Sequence, residues 1–315
     1  MIKKQLYLLL SMLSVVFISC SDSSSTGPES TDYILQIIQS VNLDSLTSYV
    51  GSLSGETPVN INGQTYNIAY RNKNYPGNDI AANYIQQKFQ QFGYTVENQN
   101  FYTTGRNILA RKEGTSNSNS KYIICAHYDD MPYEPVAPGA DDNASGVACV
   151  LEAARILSQY TFEYDVMFAL WDEEEQGLVG SRYYAGIARN SNEEINGVIN
   201  LDMISWERNG DNLVKVQENA DRSADFIGGM LIDVIQRYHL QIEADTVHII
   251  SGSDHRSFTE QNYPAILMIE DYTSDWNANY HTPQDILSEM DLTYFHECSK
   301  AAIGTLARLI QIVGN

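Results

Sequence analysis

Four short apolar runs, at residues 122–126, 166–170, 197–201 and 265–269, constrain this 315-residue chain more than any other feature. Runs this brief and this continuously apolar are the mark of strands buried on both faces of a sheet, since a half-exposed strand would alternate polar and apolar positions. Helical periodicity lies around them. Between the first two runs, residues 144–160 place Val147, Val150, Leu151 and Ala154 on one helical face. Further helices are expected at 78–92, where Gly93 is placed to end the helix, at 224–239 and at 292–312. One or two short amphipathic helices should occupy 32–50, a polar hairpin or loop 55–75, and a strand 94–101. The alternation predicts an α/β fold: one three-layer α/β/α domain over residues 32–315, with a mixed, largely parallel central sheet and a catalytic core from about residue 78.

Residues ahead of that domain read differently. Lys3 and Lys4 precede an apolar run from Leu6 to Ile18 that ends in Ser19 and Cys20, so residues 1–19 are expected to be a signal peptide. The run is short for a membrane-spanning helix, and residues 20–31 form a polar linker. The ending resembles a bacterial lipoprotein cleavage site, which implies either a lipid on Cys20 or simple secretion, and in both cases an exported protein. Net charge is −21, which argues against nucleic acid as a partner because phosphate binding needs clustered Lys and Arg. Cys125, Cys149 and Cys298 each sit in an apolar segment and are expected to be buried thiols rather than a disulfide framework.

The polar residues that end the four runs carry the chemistry. The first run is followed by His127, Tyr128, Asp129 and Asp130, and the second by Trp171, Asp172, Glu173, Glu174 and Glu175. The third is followed by Asp202, and the fourth by Glu270 and Asp271. In open α/β sheets ligands bind beyond the carboxyl ends of the strands. Four such endings converging on one sheet edge would gather carboxylates that repel one another, and a bound cation resolves that repulsion. Imidazole and carboxylate donors suit zinc. The chain contains no His-Glu-x-x-His pattern, so a zincin-type protease is not expected.

Five motifs occur in a fixed order: Ala126 to Asp129, the stretch 138–146, Glu174 to Leu178, Asn200 to Met203, and Tyr280 to Thr282. Together they resemble the co-catalytic dizinc aminopeptidases, a family whose relatives include bacterial leucyl aminopeptidases, glutamate carboxypeptidase and glutaminyl cyclases. The resemblance runs from about Asn78 to the end of the chain. It implies a metal-dependent exopeptidase acting on peptide substrates with two zinc ions. His127 and Asp202 would hold one ion, Glu175 and His281 the other, and Asp142 both. Glu174 would be the general base, and Tyr280 would either support the oxyanion or pack on its neighbour. Two assignments depend on a register of one residue: Asp142 against Asp141, and Glu175 against its acidic neighbours. Ser253, Asp254 and His255 would line the substrate pocket, while His239, His248 and His296 are expected at the surface or in helix packing. Aminopeptidase action leads. A carboxypeptidase would use Arg182, Arg208 or Arg256 for the terminal carboxylate, a cyclase of the same fold would work with one zinc, and a non-catalytic binding lipoprotein would lack a ligand or the base.

Overall fold

The computed structural model describes residues 32–116, 119–131, 138–249 and 252–315. The expected signal peptide, linker and lipid-bearing Cys20 lie outside the described residues. Residues 32–315 form one compact unit. It opens with two helices, α1 (Tyr33–Gln39) and α2 (Leu43–Leu53), and the hairpin β1 (Val59–Ile61) and β2 (Gln64–Tyr66). Asp32 and Asn42 cap the helices by accepting the N–H groups of Leu35 and Ser45. Helix α3 (Pro76–Gln91) follows, with Pro76 in its first turn, where a missing N–H costs nothing. It ends at Gly93, whose φ is +92°.

The remaining elements are β3 (Val96–Phe101), β4 (Gly105–Lys112), β5 (Lys121–His127), α4 (Gly146–Leu157), β6 (Thr161–Phe162), β7 (Asp165–Trp171), α5 (Val179–Asn190), β8 (Ile195–Leu201), β9 (Leu213–Glu218), α6 (Asp225–Arg237), β10 (Glu243–Val247), α7 (His255–Thr259), β11 (Ala265–Glu270), α8 (Leu292–Leu309) and β12 (Ile312–Gly314). Eight strands make the central sheet in the order β10-β9-β11-β8-β5-β7-β4-β3. The inner pairs β11-β8, β8-β5 and β5-β7 are parallel, as is β10-β9, whereas β9-β11, β7-β4 and β4-β3 are antiparallel. All four apolar runs are strands of this sheet, and the parallel centre is mixed with antiparallel flanks.

Period-two alternation divides the central strands between two cores. On one face, Ile124 and Ala126 of β5 and Phe168 and Leu170 of β7 pack in a large cluster with α2, α3, α4, α6 and α8. On the other, Ile123, Cys125, Met167, Ala169 and Trp171 pack with Tyr184 of α5 and Phe258 of α7. The three cysteines are buried free thiols. Because β7 lies on one side of β5 and β8 on the other, the chain reverses its direction of travel at β5, and a crevice opens there at the strands' carboxyl ends.

Sequence reading missed β4, β9, β10 and α5. Helix α4 was expected from residue 144 and begins regularly at Gly146. Ahead of it, Ala140–Ser145 form a wide turn in which Asp142 and Asn143 leave helical geometry. The Asn143 side chain holds that departure by donating to Leu201 O (2.9 Å) and accepting from Gly146 N–H (2.9 Å).

Candidate metal centre

His127 is the last residue of β5, and its side chain is almost fully buried. Its Nδ1 lies 3.3 Å from the carbonyl of Asp129. An N–H donated there fixes the tautomer and leaves Nε2 free as a ligand atom. That Nε2 lies 3.3 Å from Asp142 Oδ1 and 3.3 Å from Asp202 Oδ1. His281, with a φ of +58°, places its Nε2 3.1 Å from Asp142 Oδ2 and 3.1 Å from Glu175 Oε1. Each imidazole therefore faces two carboxylates, and Asp142 offers one oxygen to each.

Both questions of register have a geometric answer. Asp141 turns away from the histidines: Oδ1 accepts from the N–H and hydroxyl of Ser205 (3.0 and 2.6 Å), and Oδ2 accepts from Asn277 (2.8 Å). In the acidic run, Asp172 accepts from Asn78 and from the Arg106 N–H, and Glu173 from Lys73 (3.0 Å) and Thr104 (2.7 Å). Only Glu174 and Glu175 reach the cleft. They are aimed by Asp129, whose two oxygens accept the Glu174 and Glu175 N–H groups at 3.0 and 3.1 Å.

Three supporting residues were not assigned from sequence. Asp129 belonged to a quoted motif without a role of its own. Asp285 accepts the N–H groups of Asp141 (2.8 Å) and Asp142 (3.0 Å), which orients the turn carrying the shared carboxylate. Arg71 lies in a segment read as loop without chemistry, yet it is fully buried. It donates to the carbonyls of Leu53, Tyr128, Pro138 and Gly139 at 2.7–2.9 Å, and its own N–H donates to Asp130 (2.7 Å). Gly139 is required at that brace: its φ is +53°, and a Cβ there would stand 2.4 Å from Asp142 O and 2.7 Å from Arg71 Nη2. The only clear sequence signal for Asp285 was its place four residues after His281.

Burial and neighbouring charge set the proton affinities. Burial raises Glu174 well above the usual carboxylate range, with Asp254, Asp202 and Glu175 adding to it against the His127 charge. Burial also raises Glu175, to about 8. In His281, burial is overcome by hydrogen bonds to Asp142 and Glu175, and the imidazole is held up to about 10. Asp142 is held low against burial by both histidines. Metal binding displaces such protons, so a divalent cation held by Glu175 and His281 would take the place of theirs.

Beside the cluster lies a cleft of about 560 Å³. Met203, Ile249, Leu267, Ile269, Tyr272 and Trp276 give it an apolar wall, and Glu174, Glu175 and Asp202 an acidic floor. Tyr280 both lines the cleft and stacks on His281, with ring centroids 3.7 Å apart. Of the expected pocket triplet, Ser253 lines the cleft and donates to Asp202 Oδ2 (2.6 Å). Asp254 and His255 are buried behind it.

The model of peptidase family M28 matches residues 107–306, which hold every candidate ligand and Glu174. The chain belongs to peptidase family M28. A probable zinc metalloprotease of Pyrenophora teres f. teres is 27% identical over 286 residues, covering 74% of this chain and 58% of that protein. The chain thus spans less than two thirds of that curated relative. A probable leucine aminopeptidase of Trichophyton verrucosum is 26% identical, covering 73% of this chain and 66% of its own. Among solved structures, the Legionella pneumophila LapA aminopeptidase superposes with a TM-score of 0.75 at 21% identity, covering 90% of this chain and 76% of that one. This last likeness shares the mixed α/β/α architecture. Family M28 membership fits the donor set found here.

Proposed function

We propose that this M28 chain is a two-zinc aminopeptidase that releases N-terminal residues, with a preference for apolar side chains. The observation that carries the reading is the shared carboxylate: Asp142 lies between two imidazoles, each facing a further carboxylate, with Glu174 alongside. Three carboxylates and two neutral imidazoles suit two divalent cations in charge and in donor chemistry. His127, Asp142 and Asp202 would hold one Zn²⁺, and Asp142, Glu175 and His281 the other. Bound there, zinc supplies Lewis acidity, lowering the pKa of water toward about 7 and polarising the scissile carbonyl.

The chain's own residues do the rest. Glu174, buried and pushed up in pKa, accepts a proton from the attacking water and returns it to the departing amine as the C–N bond breaks. The acidic floor receives the substrate's ammonium group. The apolar wall takes its side chain. Tyr280, at the cleft and stacked on His281, would donate its hydroxyl to the oxyanion.

A carboxypeptidase role finds less support. Arg208 lies over the Trp206 ring and donates to the Glu289 carbonyl (2.6 Å). Arg182 and Arg256 do line the cleft, but both pair with Glu260, at 3.6 and 2.8 Å. The test is hydrolysis of matched aminoacyl and N-blocked chromogenic substrates, with and without chelator. Turnover confined to free-amine substrates and lost with chelator is expected. Equal cleavage of N-blocked substrates, or full activity in chelator, would overturn the proposal.

A further inference from the structure

Outside the candidate centre, another group of metal-competent side chains stands at the edge of the sheet. Glu218 ends β9, Asp225 opens α6, and His248 directly follows β10. Their donor atoms all lie within 4.8 Å of one another. His248 was expected at the surface or in helix packing, and it is part-exposed. Its Nε2 is 3.0 Å from Asp225 Oδ1 and 3.1 Å from Glu218 Oε2.

A single imidazole nitrogen here stands between two carboxylates. An imidazole Nε2 carries one hydrogen, and here it is directed at Asp225. The Glu218 side chain is only 4% exposed, and the groups set against its carboxylate are the His248 imidazole and a second carboxylate, that of Asp225. It packs closely on α6: a Cβ on Gly228 would stand 1.7 Å from Glu218 Oε1, so any larger residue there would displace the carboxylate. A buried carboxylate facing a second carboxylate is costly without a cation. Burial, and then Asp225, raise the proton affinity of Glu218 accordingly. Arg222 is 3.8 Å from Asp225 and itself 70% exposed.

We infer that Glu218, Asp225 and His248 form a further divalent-cation site, distinct from the candidate catalytic centre, that takes zinc or a similar transition ion. One imidazole and two carboxylates are N/O donors of the kind such ions prefer, and they neutralise a dication. The arrangement repeats that of His127 and His281, each with one Nε2 facing two carboxylate oxygens at 3.1–3.3 Å; this comparison rests on reading those residues as ligands. An ion there ties β9, α6 and the segment after β10 together behind the cleft, since Gln217 and Ile249, each adjacent to a ligand, line it.

The test is the difference in bound zinc between proteins. Wild type, His248→Ala and Asp225→Asn are dialysed against the same micromolar free zinc and analysed by mass spectrometry of the metal. Wild type should hold one more ion per chain than either variant, and zinc should raise its Tm by more. Asp225 is part-exposed, so its amide variant folds even if the alanine variant does not. Equal zinc in wild type and Asp225→Asn, with His248 titrating by NMR as an ion-paired imidazolium indifferent to zinc, would overturn the inference. Because the comparison subtracts the catalytic centre, its result does not depend on how many ions that centre holds.

Discussion

Glu174→Gln isolates the proposed base better than any other change, because the Glu174 carboxylate has no part in holding its own loop. The loop is fixed through the backbone: the Glu174 and Glu175 N–H groups donate to Asp129, and the turn closes with Gly177 and Leu178 donating to the Glu174 carbonyl, both at 2.8 Å. Glutamine keeps the shape of the side chain and cannot take a proton. The ligand set is untouched, so zinc content and KM should stay near wild type while kcat falls. Removal of a positioned general base costs roughly 10²–10⁴ in rate, or about 2.7–5.4 kcal/mol of barrier at about 1.36 kcal/mol per decade. Steady-state kinetics on an aminoacyl substrate, with zinc analysis of the same preparation, reads both quantities. The neighbouring Glu173→Gln is the internal comparison. It alters a buried carboxylate that contacts Lys73 and Thr104 and does not line the cleft, so it should leave kcat within about threefold, no base being removed. A Glu174→Gln enzyme with two zinc ions and kcat within about threefold of wild type would refute the assignment.

Two further outcomes concern the scaffold. Arg71→Met should destabilise the domain by about 3–5 kcal/mol in denaturant unfolding, because four carbonyls lose their buried donor and the buried Asp130 carboxylate loses the guanidinium charge beside it, keeping only the backbone N–H of residue 71; a loss below about 1 kcal/mol would show that the brace is dispensable. Burial, and then the charge of Arg256, push the His255 imidazole down to about 3 from an ordinary 6.5. As pH falls through 6.5 the unfolded chain gains a proton that the folded chain refuses, so this contribution to stability is lost progressively toward pH 3, by about 1.4 kcal/mol per pH unit. His255→Leu should flatten the slope of unfolding free energy between those limits, and an unchanged slope would place the titration elsewhere.

What the sequence disclosed and what it withheld divide along physical lines. The four buried strands were visible because strands covered on both faces must be apolar throughout, a pattern that survives any exchange among Val, Ile, Leu and Met. Strands β4, β9 and β10 were not, because they lie toward the edges of the sheet and carry polar residues such as Arg106, Asn107, Lys215 and Asp245. Helix α5 was hidden for a related reason: its exposed face is crowded with Arg182, Tyr183 and Arg189, and its buried face offers only small residues beside Tyr184. The site residues that could be named were those whose chemistry is their side chain. Those that escaped, Arg71, Asp129 and Asp285, act on backbone groups of distant segments, and nothing in local spacing records such a partner.

That distinction also explains why local sequence does not decide the two registers. Asp141 and Asp142 are chemically identical, as are Glu173, Glu174 and Glu175, so residue type cannot choose between them. The choice is made by competing hydrogen-bond donors. Ser205 and Asn277 claim Asp141, and Lys73 and Thr104 claim Glu173. Asp285 fixes the backbone of the first pair and Asp129 that of the second. Each acidic run thus contains residues neutralised by protein donors and others left without them, and it is the second kind that face the two imidazoles. A carboxylate that the fold declines to satisfy, at the carboxyl ends of a parallel sheet, is stable only with a proton or a cation, and on the proposed reading the three carboxylates Asp142, Asp202 and Glu175, set against two imidazoles that share the oxygen pair of Asp142, take the cation.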